Sequence, residues 1–133
     1  MALKHRINLS NTDTFIVGSV EIPKGTYVVL TSSVLVAAGA GVAGIGFTTE
    51  IGYIGKECRV AMQGSRCLAL AHDDAISESE FLVSSSTARV DGAATLYSAS
   101  QILIARALQD SSAAGQLISV EVTSPCPVAK AGS

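Results

Sequence analysis

Gly55-Lys-Glu-Cys-Arg-Val-Ala-Met62 and Gly115-Gln-Leu-Ile-Ser-Val-Glu-Val122 are two versions of one phrase, and their reading decides the fold. In each, a glycine opens a run that alternates with period two. Cys58, Val60 and Met62 oppose Glu57, Arg59 and Ala61, while Ile118, Val120 and Val122 oppose Ser119, Glu121 and Thr123. That period places alternate side chains on opposite faces of a pleated strand. Upstream, Ile45-Gly-Phe and Ala105-Arg-Ala precede their glycines by equal steps, and Gly55 to Val60 equals Gly115 to Val120. Further upstream, Ile22-Pro-Lys-Gly-Thr-Tyr-Val-Val returns as Ile76-Ser-Glu-Ser-Glu-Phe-Leu-Val. An echo at roughly 50–60 residues marks one supersecondary unit used twice, here over residues 22–64 and 76–122. Pro23-Lys-Gly25 suits a tight turn, with glycine at a positive-φ position. Ser77-Glu-Ser79 keeps neither residue, so the two turns are not required to share a geometry.

Outward from these phrases, strand signals cover Phe15–Glu21, Thr26–Leu30, Ser33–Ala37, Ile45–Thr49, Lys56–Met62 and Arg66–Leu70. They continue over Glu80–Ser84, Thr87–Val90, Gln101–Leu108 and Gln116–Thr123. The runs are rich in Val, Ile, Leu and Thr and are punctuated by Gly, Ser and Asp. Ala71–Glu80 and Ser111–Gly115 hold at most a helical turn each. The expected fold is all-β, a small β-barrel or sandwich built from two related halves with little helix. Residues 1–13 read as an extended N-terminal arm, 14–123 as a single β domain, and 124–133 as a C-terminal tail. Pro125 and Pro127 are expected to take that tail out of the last strand.

Composition limits the function. The chain has 133 residues, one domain's worth, and a formal charge of −2 from 9 basic and 11 acidic residues. No basic stripe neutralises a row of phosphates, so nucleic acid is not the expected partner. Charged residues make up only 15% of the chain, against about 25% in an average domain, while 48% are hydrophobic. With mean hydropathy at +0.44, a small monomer would expose more apolar surface than soluble monomers carry. Burial in an assembly resolves that conflict. Residues 25–49 are uncharged, but Val34 to Phe47, their apolar part, is shorter than the ~20 residues of a membrane helix. Ile7-Asn-Leu-Ser-Asn-Thr-Asp makes no apolar h-region after the basic start, so neither secretion nor a membrane is expected. Cys58, Cys67 and Cys126 form an odd set without a secretory context and are expected to be reduced thiols.

Reactive constellations are sparse. Gly39-Ala-Gly-Val-Ala-Gly44 satisfies G-x-G-x-x-G, but β-branched residues and glycines follow where a dinucleotide-binding helix should start. It reads as a glycine-rich β connection. His72-Asp73-Asp74, with Cys67 upstream, is the one cluster resembling a catalytic site. The alternative function is therefore a small cytosolic enzyme using Cys67, His72 and Asp73 or Asp74. Cys58, Cys67 and His72 lack zinc-site spacing, and Asp73 and Asp74 fill a hydrophilic gap that suits a turn. A small-ligand-binding β-barrel is a further alternative, although three tyrosines, three phenylalanines and no tryptophan offer little for sugar stacking. No catalytic, metal or cofactor-binding residues are expected, and no cofactor.

The order of phrases resembles the small head-decoration, or cement, proteins of tailed bacteriophages. Ile22-Pro-Lys-Gly25-Thr-Tyr-Val28 is similar to their I-x-x-G-x-x-V; Ala38-Gly-Ala-Gly41 and Ile45-Gly46 follow in the same order. Gly55 through Val60 to Gly64 resembles their G-x-x-x-x-V-x-x-x-G. Ile104-Ala-Arg-Ala, Ala113-Ala-Gly and Val120-Glu-Val resemble the closing phrase, so the likeness spans about residues 15–123. Ser84-Ser-Ser-Thr and the Pro-Cys-Pro tail depart from it. The resemblance implies a structural virion protein that is no enzyme. It would be made in the host cytoplasm and bind the capsid surface as a homotrimer, clamping major capsid protein subunits. Leu3, Lys4, His5, Arg6 and Ile7 of the arm combine apolar anchors with positive charge and are the candidate capsid contacts.

Overall fold

Short aliphatic runs closed by residues that leave the pleat alternate along the whole chain. A computed structural model describes residues 7–73, 76–92 and 101–128. The strands are β1 (Thr12–Ile16), β2 (Tyr27–Thr31), β3 (Val34–Ala37), β4 (Gly46–Thr48) and β5 (Glu57–Met62), then β6 (Arg66–Leu70), β7 (Phe81–Ser84), β8 (Val90–Gly92), β9 (Gln101–Ala107) and β10 (Leu117–Val128). They form two five-stranded antiparallel sheets, ordered β1-β5-β4-β2-β3 and β6-β10-β9-β7-β8. The fold is all-β, and the described residues contain no helix, hence none long and apolar enough to cross a membrane.

Raising every strand label of the first sheet by five yields the second sheet, and the repetition holds residue by residue. Asp13 faces Val60 as Cys67 faces Val120. Gly46 faces Met62 as Ala105 faces Val122. Tyr27 faces Phe47 as Phe81 faces Arg106, and Val29 faces Val36 as Val83 faces Asp91. The crossovers repeat as well: the Val17 amide donates to the Lys56 carbonyl and Gly18 to Leu35, while Ala71 donates to Gln116 and His72 to Val90. The expected pair of related halves is therefore present as two copies of one topology.

The register corrects the alignment at one point. Equal spacing had matched Ile45 to Ala105, whereas the pairing matches Gly46 to Ala105, so the β9–β10 connection is the longer one. A one-residue slip would exchange the two faces of β4, turning Phe47 to the wrong side. The two opening turns do share a geometry. Gly25 has φ +81° and Ser79 has φ +74°. The Gly25 amide donates to the Thr48 carbonyl and the Ser79 amide to the Ala107 carbonyl. Serine at that position carries left-handed strain that glycine avoids.

Three boundaries also differ from expectation. β1 begins inside the segment read as an arm, and it ends at Ile16 because Val17 and Gly18 carry the chain across from β5 to β3. β8 starts at Val90 because Ser85–Arg89 forms the turn before it, with the Ser85 amide donating to the Arg89 carbonyl. β10 runs on through Pro125 and Pro127 to Val128. β6 pairs with Leu117–Glu121, and the turn before β6 still holds Val122, whose amide donates to the Ser65 carbonyl. Beyond Val122, among the described residues, β10 pairs with β9 alone, past a bulge between Val122 and Cys126. A strand with an open flank tolerates proline's missing N–H.

Each sheet has a front, which carries Val28 and Val60 in the first half and Leu82 and Val120 in the second. The first front buries Val17, Ile22, Val28, Leu35, Cys58 and Val60 in one cluster. The second front buries Ala71, Ile76, Leu82, Val90, Ile118 and Val120 at the matching positions. The back of the first sheet, Tyr27, Phe47 and Ala61, belongs to that second cluster. The halves thus stack back to front as a β-sandwich. Main-chain bonds join them: Tyr27 donates to Ala88 and Leu70 to Gly25. The rings of Tyr27 and Phe47 lie 5.2 Å apart. Each large side chain sealed there contributes about 1.5–3 kcal/mol.

Candidate functional site

His72 and Asp73 follow β6 where the chain leaves β10 for β8. The parallel bridge from Ala71 to Val90 brings Asp91 beside them. One ligand-type atom from each of the three lies within 4.8 Å of the others, and all three residues are half-buried. Burial, then the nearby Asp73 charge, raises the Asp91 carboxyl above its ordinary value. Its Oδ1 accepts the Gly92 amide at 2.9 Å. One imidazole and two carboxylates form a donor set that a divalent cation accepts. The first half has Gly18, Ser19 and Val36 at the matching positions, so the trio is particular to the second half.

This grouping differs from the one expected from sequence. Asp91 joins His72 and Asp73 through tertiary pairing, and Asp74 lies outside the described residues. Cys67 instead faces Val120 in the core, where burial pushes its thiol up to about 12. Such a group is a protonated thiol at neutral pH and a poor nucleophile. Cys58 is likewise buried and pushed up to about 11, by burial and by Glu50. Cys126 is exposed.

Gly39–Gly44 connects β3 to β4, and its last glycine packs against Tyr27. The Gly44 amide donates to the Tyr27 hydroxyl at 2.8 Å, and a Cβ on Gly44 would meet the Val28 carbonyl oxygen. Burial raises the Tyr27 phenol above its ordinary value, against the lowering effect of that bond.

Of the candidate contact residues in the arm, Leu3, Lys4, His5 and Arg6 lie outside the described residues. Ile7 is 54% exposed and, with Leu9, lines a pocket of about 90 Å³ beside Lys24, Thr49, Cys67 and Leu68. Asn8 and Arg66 exchange amide-to-carbonyl bonds of 2.8 Å. The root of the arm therefore pairs with the free edge of this chain's own β6.

A second surface feature carried no motif. Val20, Ile51, Tyr53 and Ile54 are all exposed, Val20 by 71%. Their two loops are held together because Ile22 and Gly52 exchange amide-to-carbonyl bonds and the Gly55 amide donates to the Val17 carbonyl. Gly52 has no room for a Cβ, which would lie 2.9 Å from Val17 Cγ2. The corresponding connection of the second half reads Asp110-Ser-Ser-Ala-Ala114, which is polar and small. One end of the first half is thus an apolar tip with no counterpart among the described residues of the second. Beside it, an open groove of about 570 Å³ runs between the halves, with Val20, Pro23 and Val36 on one wall and Leu70 and Arg89 on the other.

No protein family and no curated protein matches this chain.

Proposed function

We propose that the protein is a capsid decoration, or cement, protein. It binds the outside of a phage head as a homotrimer and stabilises contacts between major capsid protein subunits. The observation that carries this reading is the apolar tip formed by Val20, Ile51, Tyr53 and Ile54. Exposed apolar groups gathered on two cross-linked loops mark a protein contact rather than a free surface. A protein that works by clamping needs such contacts, repeated over a symmetric shell, and each can be individually modest. The double-sheet body supports the reading, because its main-chain bonds tie down the two loops of the tip and the Asn8 neighbour of exposed Ile7. The resemblance in phrase order to cement proteins points the same way.

The test is co-sedimentation with empty expanded phage heads. The native protein should bind and should raise the temperature at which the heads rupture. Tyr53→Asp with Ile54→Asp alters only exposed side chains, so the folded protein should persist while binding drops at least about tenfold, the loss of one hot-spot pair. Failure of the native protein to bind heads, or binding indifferent to the tip substitutions, would remove this reading.

A further inference from the structure

The centre of the first half's front is sealed in its own core. The two ends of the stack are therefore the margin of that front, at Asp13, Phe15, Ile45 and Met62, and the back of the second half. Each repeats a surface that is buried inside the chain. Inside, the back of the first half, Tyr27, Phe47 and Ala61, shares a core cluster with Cys67, Ala69, Ile104 and Val122 from the front of the second. The positions matching the first set are Phe81, Arg106 and Glu121, where Phe81 and Arg106 are exposed and Glu121 is half-buried. The positions matching the second set are Asp13, Phe15, Ile45 and Met62. There Asp13 is exposed, and the other three are only half-buried against their own core.

The main chain carries the same signature. Across the internal interface the Leu70 amide of β6 donates to the Gly25 carbonyl at 2.9 Å. Ile16 holds the position of Leu70 in an identical register, so its amide points away from β5 at the open edge of β1. Ser79 holds the position of Gly25 on an exposed turn with the same backbone conformation. The Arg106 Nε reaches the Ser79 carbonyl at 3.3 Å, and its guanidinium lies 5.6 Å from the Phe81 ring centre. Charge also matches. Phe47 and Cys67 share the internal cluster, and their counterparts at the free ends are Arg106 and Asp13, a cation and an anion.

We infer that a second copy of this chain docks head to tail, the back of one copy's second half on the front of the next copy's first half. The contact repeats the interface already made within the chain: the Ser79 carbonyl receives the Ile16 amide and Arg106 meets Asp13. Because two different surfaces meet, the assembly is a closed ring or a filament rather than a self-complementary pair. Every half then has its back on another half's front. The inference rests on the internal repeat and not on capsid attachment, so it stands or falls without any phage head present.

Light scattering on the purified full chain provides the test. The native protein should show a multiple of 13.6 kDa. Asp13→Arg and Arg106→Asp, each alone, should weaken association at least about tenfold by placing like charges together. The double reversal should restore it. In a Cys126→Ser background, Ile16→Cys with Ser79→Cys should form disulfides between chains on mild oxidation. A native protein that stays at 13.6 kDa at high concentration would overturn the inference. So would an oligomer that is indifferent to both reversals and forms no such disulfide.

Discussion

Tyr27 and Phe81 occupy the same place on the same strand of the two halves, each opposite the central strand of its sheet. Tyr27 is 1% exposed and Phe81 50%. Topology, register and turn conformation are equal at both sites, so none of them accounts for the difference. What differs is the neighbour: the second half lies against the back of the first, and among the described residues nothing lies against the back of the second. The side chains follow suit. Around Tyr27 are Phe47 and Ala61; around Phe81 are Arg106 and Glu121. A repeated backbone thus carries two surface chemistries, one for an internal seam and one for an outer face.

Truncating the matched aromatics tests this comparison with the largest expected effect. Tyr27→Ala should cost about 3–5 kcal/mol, whereas Phe81→Ala should cost under about 1 kcal/mol in the dissociated chain. Urea midpoints at low protein concentration would read both, and equal losses would break the comparison. The central strands come next. A Cβ on Gly46 would run into the Ala61 carbonyl oxygen, although the matching Ala105 is accommodated and fully buried. Gly46→Ala should therefore cost about 3 kcal/mol and Ala105→Gly about 1 kcal/mol, measured by thermal unfolding.

The paired turns sharpen the comparison further. Ser79→Gly should add about 0.5–1 kcal/mol by relieving left-handed strain. Gly25→Ala should lose about 2 kcal/mol, because its Cβ would also press on Leu117 Cδ2 at 2.7 Å. The smallest effect belongs to Asp91, which replaces Val36 of the first half. Its carboxyl is raised by burial and by Asp73, so the folded protein holds that proton more tightly than the unfolded chain does. Stability from this group is present below the ordinary carboxylate pKa and declines as pH rises through the raised one. Asp91→Asn should stabilise the protein by about 0.5 kcal/mol or less at neutral pH, with no gain in acid. A gain that persisted in acid would assign the effect to something other than charge.

Much of the architecture was legible because period-two alternation and positive-φ glycines act locally. Gly55 and Gly115 mark the same turn in both copies, with φ +74° and +80°, and Val60 and Val120 are both sealed in cores. The alignment set Ser79 opposite Gly25, but their shared backbone conformation was not legible, because that of Ser79 is imposed by bonds to β9 and not by its own preference. The reach of β10 past Pro125 was hidden for a similar reason: whether a proline fits depends on which flank of the strand is open. The His72 cluster was half visible. Its third member, Asp91, sits far along the chain and arrives only through the β6–β8 bridge. The apolar tip was missed because Val20, Ile51, Tyr53 and Ile54 form no periodic pattern, and only their exposure sets them apart.

Left to itself, the amino-acid sequence determined the strand content and the doubling. These depend on alternation and turn chemistry spanning a few residues. Which face of each copy is buried was decided only in three dimensions. Each copy seals its own front, but only the stacking decides which back meets a neighbour. The first half's back is covered by the second half, whereas among the described residues the second half's back is left with Phe81 and Arg106 exposed.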